Sequence, residues 1–183
     1  MLVGVLALQG DFAAHAAMLR ELGADVREVR VPADLEGLDG LVIPGGESTT
    51  MTLGIEREGL AEPLRELAAA GTPVLGTCAG MIMLDREHLG IADYTCRRNA
   101  FGRQVRSFEA DLDIPGVEGD PIRAVFIRAP WIETHGEDVE VLAEVDGHVV
   151  AARQGPILVV SFHPEIAGER RIHELFLNSL CRT

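Results

Sequence analysis

Strand-like apolar runs alternate with amphipathic helical segments along the first half of the chain. The strand-like runs are residues 2–8, 26–31, 41–43 and 73–76, and the helical segments are residues 12–22 and 60–70. Both helical segments stop at a glycine, Gly23 and Gly71. Such alternation with short connections predicts an α/β fold: a three-layer sandwich with a mostly parallel central sheet and helices on both faces. In such folds the active groups lie at the carboxyl ends of the strands.

The pattern changes after residue 104, where strand-like runs are separated by Pro-Gly, Gly-Asp-Pro and Asp-Gly turns. These runs are residues 105–112, 122–126, 139–145 and 149–152. We expect them to form an antiparallel extension of the main sheet in the C-terminal half. A return strand over 157–162 and a terminal helix from about 169 to 180 should follow.

Composition and charge exclude several classes of function. A formal charge of −13 repels phosphates and anionic lipids, and no basic run interrupts it, so nucleic acid is not an expected partner. The apolar runs are too short to cross a bilayer, and the N-terminus lacks the basic segment of an export signal. The three cysteines form no Cys-x-x-Cys pair, which favours a cytoplasmic location. Because composition does not break along the 183 residues, we expect a single domain over 1–183.

A candidate nucleophile lies in residues 76–80, Gly-Thr-Cys-Ala-Gly, directly after the fourth apolar run. The two glycines permit a tight turn from strand to helix that projects Cys78, and the helix N-terminus favours its thiolate. The N–H of Ala79 is a candidate oxyanion donor. Because a free cysteine is usually a small buried apolar residue, and the turn also suits esterases and proteases, this motif alone leaves the reaction open. Cys96 and Cys181 lack this setting and are predicted to be structural.

A candidate base and its orienting acid follow the last apolar run, in residues 161–165, Ser-Phe-His-Pro-Glu. In an extended segment His163 and Glu165 point to the same side, so the carboxylate can hold the imidazole tautomer that faces the thiol. None of the other histidines has an acid two residues on after the end of a predicted strand. Cys78, His163 and Glu165 are therefore the predicted nucleophile, base and orienting acid. No His-x-x-x-His pattern is present, and we expect no metal site.

The loop at residues 44–50, Pro-Gly-Gly-Glu-Ser-Thr-Thr, follows the third strand-like run and can offer backbone N–H groups to an anion. It has neither the lysine of a P-loop nor the spacing of a dinucleotide fingerprint. We predict that Gly46 supplies a second oxyanion donor across from Cys78.

Together these motifs resemble the class I, triad-type glutamine amidotransferases, and more closely the glutaminase subunits of pyridoxal 5′-phosphate synthase. The cysteine turn and the His-Pro-Glu run are typical of the superfamily. Residues 4–10 and 41–51 match as well. Three runs are typical of the closer group: Gly-Glu-Ser-Thr-Thr at 46–50, Arg-Asn-Ala-Phe-Gly-Arg-Gln at 98–104 and Phe-Ile-Arg-Ala-Pro at 126–130. The matching runs occur in order along nearly the whole chain.

The resemblance implies an enzyme that hydrolyses L-glutamine to L-glutamate and ammonia. The ammonia passes to a separate synthase subunit, which makes pyridoxal 5′-phosphate from a pentose phosphate and a triose phosphate. A hetero-oligomer is implied, and no cofactor for this chain. The residues that hold glutamine by resemblance are Gly46, Glu47, Ser48, Arg98, Ile127 and Arg128. An arginine beside the α-carboxylate would act as a charge-assisted clamp, although surface arginines are usually only solvated. Residues 85–97 are shorter than the family usually carries there.

Three other functions fit parts of the pattern. A glutaminase subunit that serves a different acceptor would keep the triad and change only its partner. A binding or regulatory protein of the same fold would not need the complete trio of cysteine, histidine and acid. A cysteine hydrolase or chaperone of a related fold would not need Arg98 or Arg128.

Overall fold

The computed structural model describes residues 1–102 and 107–180. The strands are β1 (Leu2–Leu6), β2 (Asp25–Val29), β3 (Gly40–Ile43), β4 (Val74–Thr77), β5 (Tyr94–Arg97), β6 (Ser107–Leu112), β7 (Ile122–Ile127), β8 (Trp131–His135), β9 (Glu140–Val145), β10 (His148–Gln154) and β11 (Ile157–Val160). The helices are α1 (Phe12–Glu21), α2 (Ser48–Arg57), α3 (Ala61–Ala69), α4 (Ala79–Leu84), α5 (Pro164–Ala167) and α6 (Arg171–Leu180), with a 3-10 helix at Pro32–Leu35. The predicted strand start at residue 105, the motif end at 103–104 and Cys181 lie outside the described residues.

Within the described residues the main sheet has nine strands, in the order β2-β1-β3-β4-β11-β10-β8-β5, with β9 paired to β10. The pairings from β2 to β11 are parallel, and those from β11 to β5 are antiparallel. The predicted parallel sheet with an antiparallel extension is therefore confirmed. The carboxyl ends of β1, β3, β4 and β11 meet at one edge, which is where the sequence motifs lie.

Alternate residues of the parallel strands face opposite sides of this sheet, and helices cover each side. In β3, Leu41 and Ile43 share a core with α2, α3 and α4, whereas Val42 shares one with α1 and α6. All three side chains are almost fully buried, and burial of each contributes about 1.5–3 kcal/mol. A one-residue slip would exchange the two faces, so this burial fixes the register. The expected helices on both faces are confirmed.

One part of the predicted extension was wrong. β6 and β7 pair only with each other among the described strands and form a separate antiparallel sheet. Ile122, Ala124 and Phe126 of β7 are buried in the core beneath α1 and α6, while Arg123 between them is exposed. The pair thus buries one apolar face against the layer that covers the main sheet, and it does not add to the sheet edge.

The elements that were not predicted from the sequence include α2, β5 and β8. α2 contains three threonines and a glycine, which have low intrinsic helix propensity. Its start is fixed by Glu47, whose carboxylate accepts from the N–H groups of Thr49 and Thr50 at 3.1 and 2.7 Å. Met51 and Ile55 then bury one face of the helix in the core. No helix in the described part of the chain is both long enough and apolar enough to cross a membrane.

Candidate active site

The predicted turn at residues 76–80 joins β4 to α4 and contains Cys78. This residue has φ 49° and ψ −106°, in a left-handed region that costs a non-glycine residue about 1–3 kcal/mol. Its N–H donates to Val160 O of β11 at 2.9 Å, which holds the strained turn against the sheet. The side chain of Cys78 lines a cleft at the carboxyl ends of the parallel strands.

The two glycines of the turn are required by close approach of the backbone. A Cβ at Gly80 would lie 1.9 Å from Ile43 O, and a Cβ at Gly76 would lie 2.9 Å from the carbonyl group of Gly80. Backbone atoms cannot move aside as a flexible side chain can, so neither position accommodates a larger residue. The crowding expected from the sequence motif is confirmed at both glycines.

His163 and Glu165 meet directly after β11. His163 Nδ1 lies 2.7 Å from Glu165 Oε1, and both residues are buried. The extended conformation expected for this segment was wrong, because Pro164–Ala167 forms one turn of helix with His163 at its N-cap. Proline at the first helical position favours such a start. His163 and Glu165 therefore meet across the first turn of α5. In addition, the backbone N–H of His163 donates to Val125 O of β7 at 2.8 Å.

The protonation of His163 depends on Cys78 and Glu165. Burial lowers the pKa of His163, but hydrogen bonds to Cys78 and Glu165, together with their negative charges, outweigh burial and raise that pKa to about 10. His163 therefore stands between the thiol and the carboxylate as an imidazole that gains a proton readily. A nucleophile, a proton carrier and an orienting acid in this order can carry out acyl transfer.

A cleft of about 380 Å³ opens over these residues, within the size range of small-molecule sites. The predicted site residues that line it are Gly46, Glu47, Ser48, Cys78, Ala79, Arg98, Ile127, Arg128 and His163. Glu165 lies behind His163 and does not line the cleft. Ile82 and Asn99 also line it. Neither was predicted as a site residue, although Asn99 lies within the run at residues 98–104.

The glycine loop passes directly over the thiol and the imidazole. A Cβ at Gly45 would lie 2.6 Å from His163 Cε1 and 3.2 Å from Cys78 Cβ, so only glycine fits there. The loop is held from below by Gln9, whose Oε1 accepts from the N–H of Glu47 at 2.6 Å. Sequence reasoning assigned no role to Gln9. The position of Gln9 at the carboxyl end of the first strand was the available signal.

Glu47 and Arg98 pair at the exposed side of the cleft. Arg98 Nη2 lies 3.3 Å from Glu47 Oε1 and 3.4 Å from Thr49 Oγ1. The N–H groups of Thr50 and Thr49, in that order of strength, lower the pKa of Glu47 to about 2. An exposed pair of this kind contributes at most about 1 kcal/mol to stability, so a bound carboxylate can displace it at small cost.

Comparison with known proteins agrees with this geometry. The SNO glutamine amidotransferase family matches residues 5–182. The chain belongs to this family. The resemblance inferred from the motifs is therefore confirmed.

Relatives of this SNO-family chain include pyridoxal 5′-phosphate synthase subunits named PdxT. The subunit of Rhodococcus jostii (strain RHA1) is 54% identical over an alignment of 193 residues. The alignment covers 97% of this chain and 96% of the relative. That of Mycobacteroides abscessus is 56% identical over 186 residues, with the same shares covered. A crystal structure of a glutamine amidotransferase is 44% identical, with a TM-score of 0.91 over 98% of both chains.

Two cleft residues of this glutamine amidotransferase have left-handed backbone conformations. Arg128, which follows β7, and Asn99, which follows Arg98, both have φ 46°. Non-glycine residues in this conformation are concentrated at ligand-binding and catalytic sites. Arg128 is the more strained of the two, because asparagine adopts this conformation several-fold more often than most non-glycine residues.

Proposed function

We propose that this chain is the glutaminase subunit of a pyridoxal 5′-phosphate synthase. It hydrolyses L-glutamine to L-glutamate and ammonia, and it delivers the ammonia to a separate synthase subunit that uses a pentose phosphate and a triose phosphate. The observation that carries the proposal is the array of Cys78, His163 and Glu165 at a cleft with two arginines. That array occurs in a chain more than half identical to PdxT subunits of this synthase.

In the first step the Cys78 thiolate attacks the side-chain amide carbon of glutamine. The resulting oxyanion accepts hydrogen bonds from the N–H groups of Ala79 and Gly46. His163, oriented by Glu165, protonates the amide nitrogen, the C–N bond breaks, and ammonia leaves a glutamyl thioester on Cys78.

In the second step water attacks the thioester, and His163 now accepts a proton from that water. The C–S bond breaks, glutamate leaves, and Cys78 returns to thiolate with His163 protonated. The same imidazole thus acts as acid and then as base, which its position between thiol and carboxylate allows. No cofactor takes part in either step.

Glutamine is held by Gly46, Glu47, Ser48, Arg98, Ile127 and Arg128, all of which line the cleft. The α-carboxylate takes the place of Glu47 on the Arg98 guanidinium, because both are carboxylates and the existing pair is solvent-exposed. Arg128 supplies a second positive charge to the same end of the substrate.

Assembly with the synthase follows from the chemistry of the product. Free ammonia is rapidly protonated in water and ceases to be a nucleophile, so the partner must dock over the cleft. We expect a cytoplasmic hetero-oligomer with lyase activity as a whole, in which residues 1–183 form one domain. Docking reorients the Gly45-Gly46 peptide and completes the oxyanion hole, so the isolated chain should have low activity.

The test is a glutaminase assay on the purified chain, with and without the synthase subunit. We expect low turnover alone, a large increase with the synthase, and no turnover for Cys78→Ala in either case. Amide-¹⁵N glutamine should label the ring nitrogen of pyridoxal 5′-phosphate. Ammonia release without ring labelling would favour the alternative, a glutaminase that serves a different acceptor. Hydrolysis that persists in Cys78→Ala would contradict the proposed nucleophile.

A further inference from the structure

Buried polar side chains lie behind the proposed triad, on the side of Glu165 that faces away from His163. They are His15 of α1, Thr77 at the end of β4 and His173 of α6, here named the inner histidine cluster. All three have 0% exposure. Buried polar groups are costly unless they have partners, so each contact in this cluster bears on what it does.

The two carboxylate oxygens of Glu165 have different surroundings. Oε1 lies 2.7 Å from His163 Nδ1, whereas Oε2 has no hydrogen-bond partner among the described residues. His15 Nε2 lies 3.4 Å from Oε2. This distance is a close polar contact, slightly too long for a good hydrogen bond. Catalytic hydrogen bonds are often long without substrate and tighten in the Michaelis complex.

The remaining contacts of His15 indicate which of its nitrogens carries the proton. Nδ1 lies 2.8 Å from His173 Nε2, and Nε2 lies 3.2 Å from Thr77 Oγ1. If His173 Nε2–H donates to Nδ1, then His15 carries its proton on Nε2, toward Thr77 and Glu165. His173 Nδ1, which has no partner among the described residues, is then only an unused acceptor.

The opposite tautomer is less favourable. With its proton on Nδ1, His15 would present the Nε2 lone pair to the carboxylate of Glu165. His173 would then carry an N–H on Nδ1 with no acceptor, and a buried donor without a partner costs about 1–3 kcal/mol. Both penalties select the Nε2–H form.

We propose that His15 is a positioning residue for glutamine hydrolysis: neutral and protonated on Nε2, it donates to the free oxygen of Glu165. The inference rests on the proposed function and extends its machinery by one residue. The donor prevents the carboxylate from rotating and keeps Oε1 aimed at His163 Nδ1. The order of contacts is then Cys78, His163, Glu165, His15 and His173.

His15 must remain neutral in this role. Burial, followed by the charges of His173 and His163, lowers the pKa of His15 well below its ordinary value. The titratable groups that face the His15 ring are Glu165, His163 and His173, with Cys78 beyond His163. A neutral donor leaves the full charge of Glu165 to stabilise the imidazolium of His163, whereas a protonated His15 would compete for that charge.

The test compares His15→Asn with His15→Gln in the complex with the synthase subunit. The amide of asparagine reaches only the Nδ1 position and loses the donor to Glu165, whereas that of glutamine reaches the Nε2 position and can replace it. We expect His15→Asn to lower kcat about 10- to 100-fold, the effect of one hydrogen bond to a charged group. KM should change less than about twofold because His15 does not line the cleft. His15→Gln should recover most of the lost kcat.

Equal losses in both variants, matched by equal losses of folding stability in urea, would show a merely structural role and overturn the inference. Wild-type kcat in His15→Asn would overturn it as well. A wild-type complex that releases no ammonia from glutamine would instead contradict the proposed function itself.

A measurement on the wild-type protein covers the case in which the variants do not fold. Imidazole ¹⁵N chemical shifts separate the two neutral tautomers of a histidine. We expect His15 to show a protonated Nε2 and an unprotonated Nδ1. The reverse assignment would overturn the inference.

Discussion

Cys78 has a strained backbone at the point where β4 passes into α4, and its surroundings explain why the strain is retained. The N–H of Cys78 is held by Val160 of β11, and Gly80 lets the helix approach β3. The same turn presents the thiol to His163, whose pKa it helps to raise. At the scale of single residues, the site thus depends on three features. They are the hydrogen bond from Cys78 to Val160, the absence of a side chain at Gly80, and the charge interaction between Cys78 and His163.

The charge interaction can be tested at His163. Cys78→Ala removes the hydrogen bond and the negative charge that help to raise the pKa of His163 to about 10. In this variant only Glu165 still opposes the effect of burial, which lowers the pKa of His163. We therefore expect this pKa to fall by at least about 1, equivalent to about 1.4 kcal/mol. An NMR titration of the imidazole measures it. Cys96→Ala is the matched control and should leave the pKa of His163 unchanged.

The missing side chain can be tested at Gly80. In Gly80→Ala the new Cβ meets Ile43 O at 1.9 Å, and the backbone of α4 or β3 must move. We expect the free energy of unfolding to fall by about 3 kcal/mol or more, the upper range for an overpacked core. The control, Gly71→Ala, has the backbone strain of a positive φ but nothing within 4 Å of its Cβ. Equal losses in urea unfolding would contradict a steric origin.

At the scale of elements, α2 connects stability to substrate binding. Its sequence is a poor helix former, and its first turn is capped by Glu47, which also lines the cleft and pairs with Arg98. The helix starts within the glycine loop that passes over Cys78. A defect at the cap should therefore disturb both the helix and the loop.

Glu47→Ala tests this connection. The substitution leaves the N–H groups of Thr49 and Thr50 without their acceptor, so we expect a loss of about 1 kcal/mol in the free energy of unfolding. The KM for glutamine should rise as well. Glu56→Ala, at an exposed position of the same helix, is the control and should stay within about 0.5 kcal/mol. A rise in KM for both variants would argue against a role specific to the cap.

At the scale of the whole molecule, the inner histidine cluster joins elements that are far apart in sequence. His15 and His173 are separated by 158 positions, yet their rings meet between α1, α6 and the end of β4. Burial is the first cause that lowers both pKa values, to about 4 for His173. The folded protein therefore holds both histidines neutral in a pH range where the unfolded chain protonates them.

This difference predicts how stability depends on pH. A histidine with a lowered folded pKa contributes stability above its unfolded pKa of about 6.5, and that stability is lost as pH falls toward the folded pKa. For His173 the window runs from about 6.5 down to about 4. For His173 the loss between pH 7 and pH 5 should be about 2 kcal/mol. His173→Leu should remove about one such contribution in urea unfolding measured at both pH values, whereas His135→Gln, at an exposed position, should not.

Much of this protein could be predicted from local sequence. The alternating runs and their periods predict the parallel sheet, and the motifs at residues 76–80 and 161–165 identify the triad candidates because each needs only a few adjacent residues. α2 was missed because its residues have low helix propensity. The helix forms because Met51 and Ile55 pack in the core and the Glu47 carboxylate caps its first turn. The separate β6–β7 sheet was misplaced because strand composition does not specify a strand's neighbour.

The sequence by itself therefore determined the α/β class, the family resemblance and most of the residues that line the cleft. Only the tertiary structure decided how they meet: the one-turn helix that brings His163 to Glu165, the loop that Gln9 holds over Cys78, and the packing of His15 behind the carboxylate. The physical reason is distance along the chain. Local sequence patterns indicate which secondary structure a segment prefers and which of its faces is apolar. The burial and the contacts of Glu165 depend instead on α1 and α6, which lie near opposite ends of the sequence.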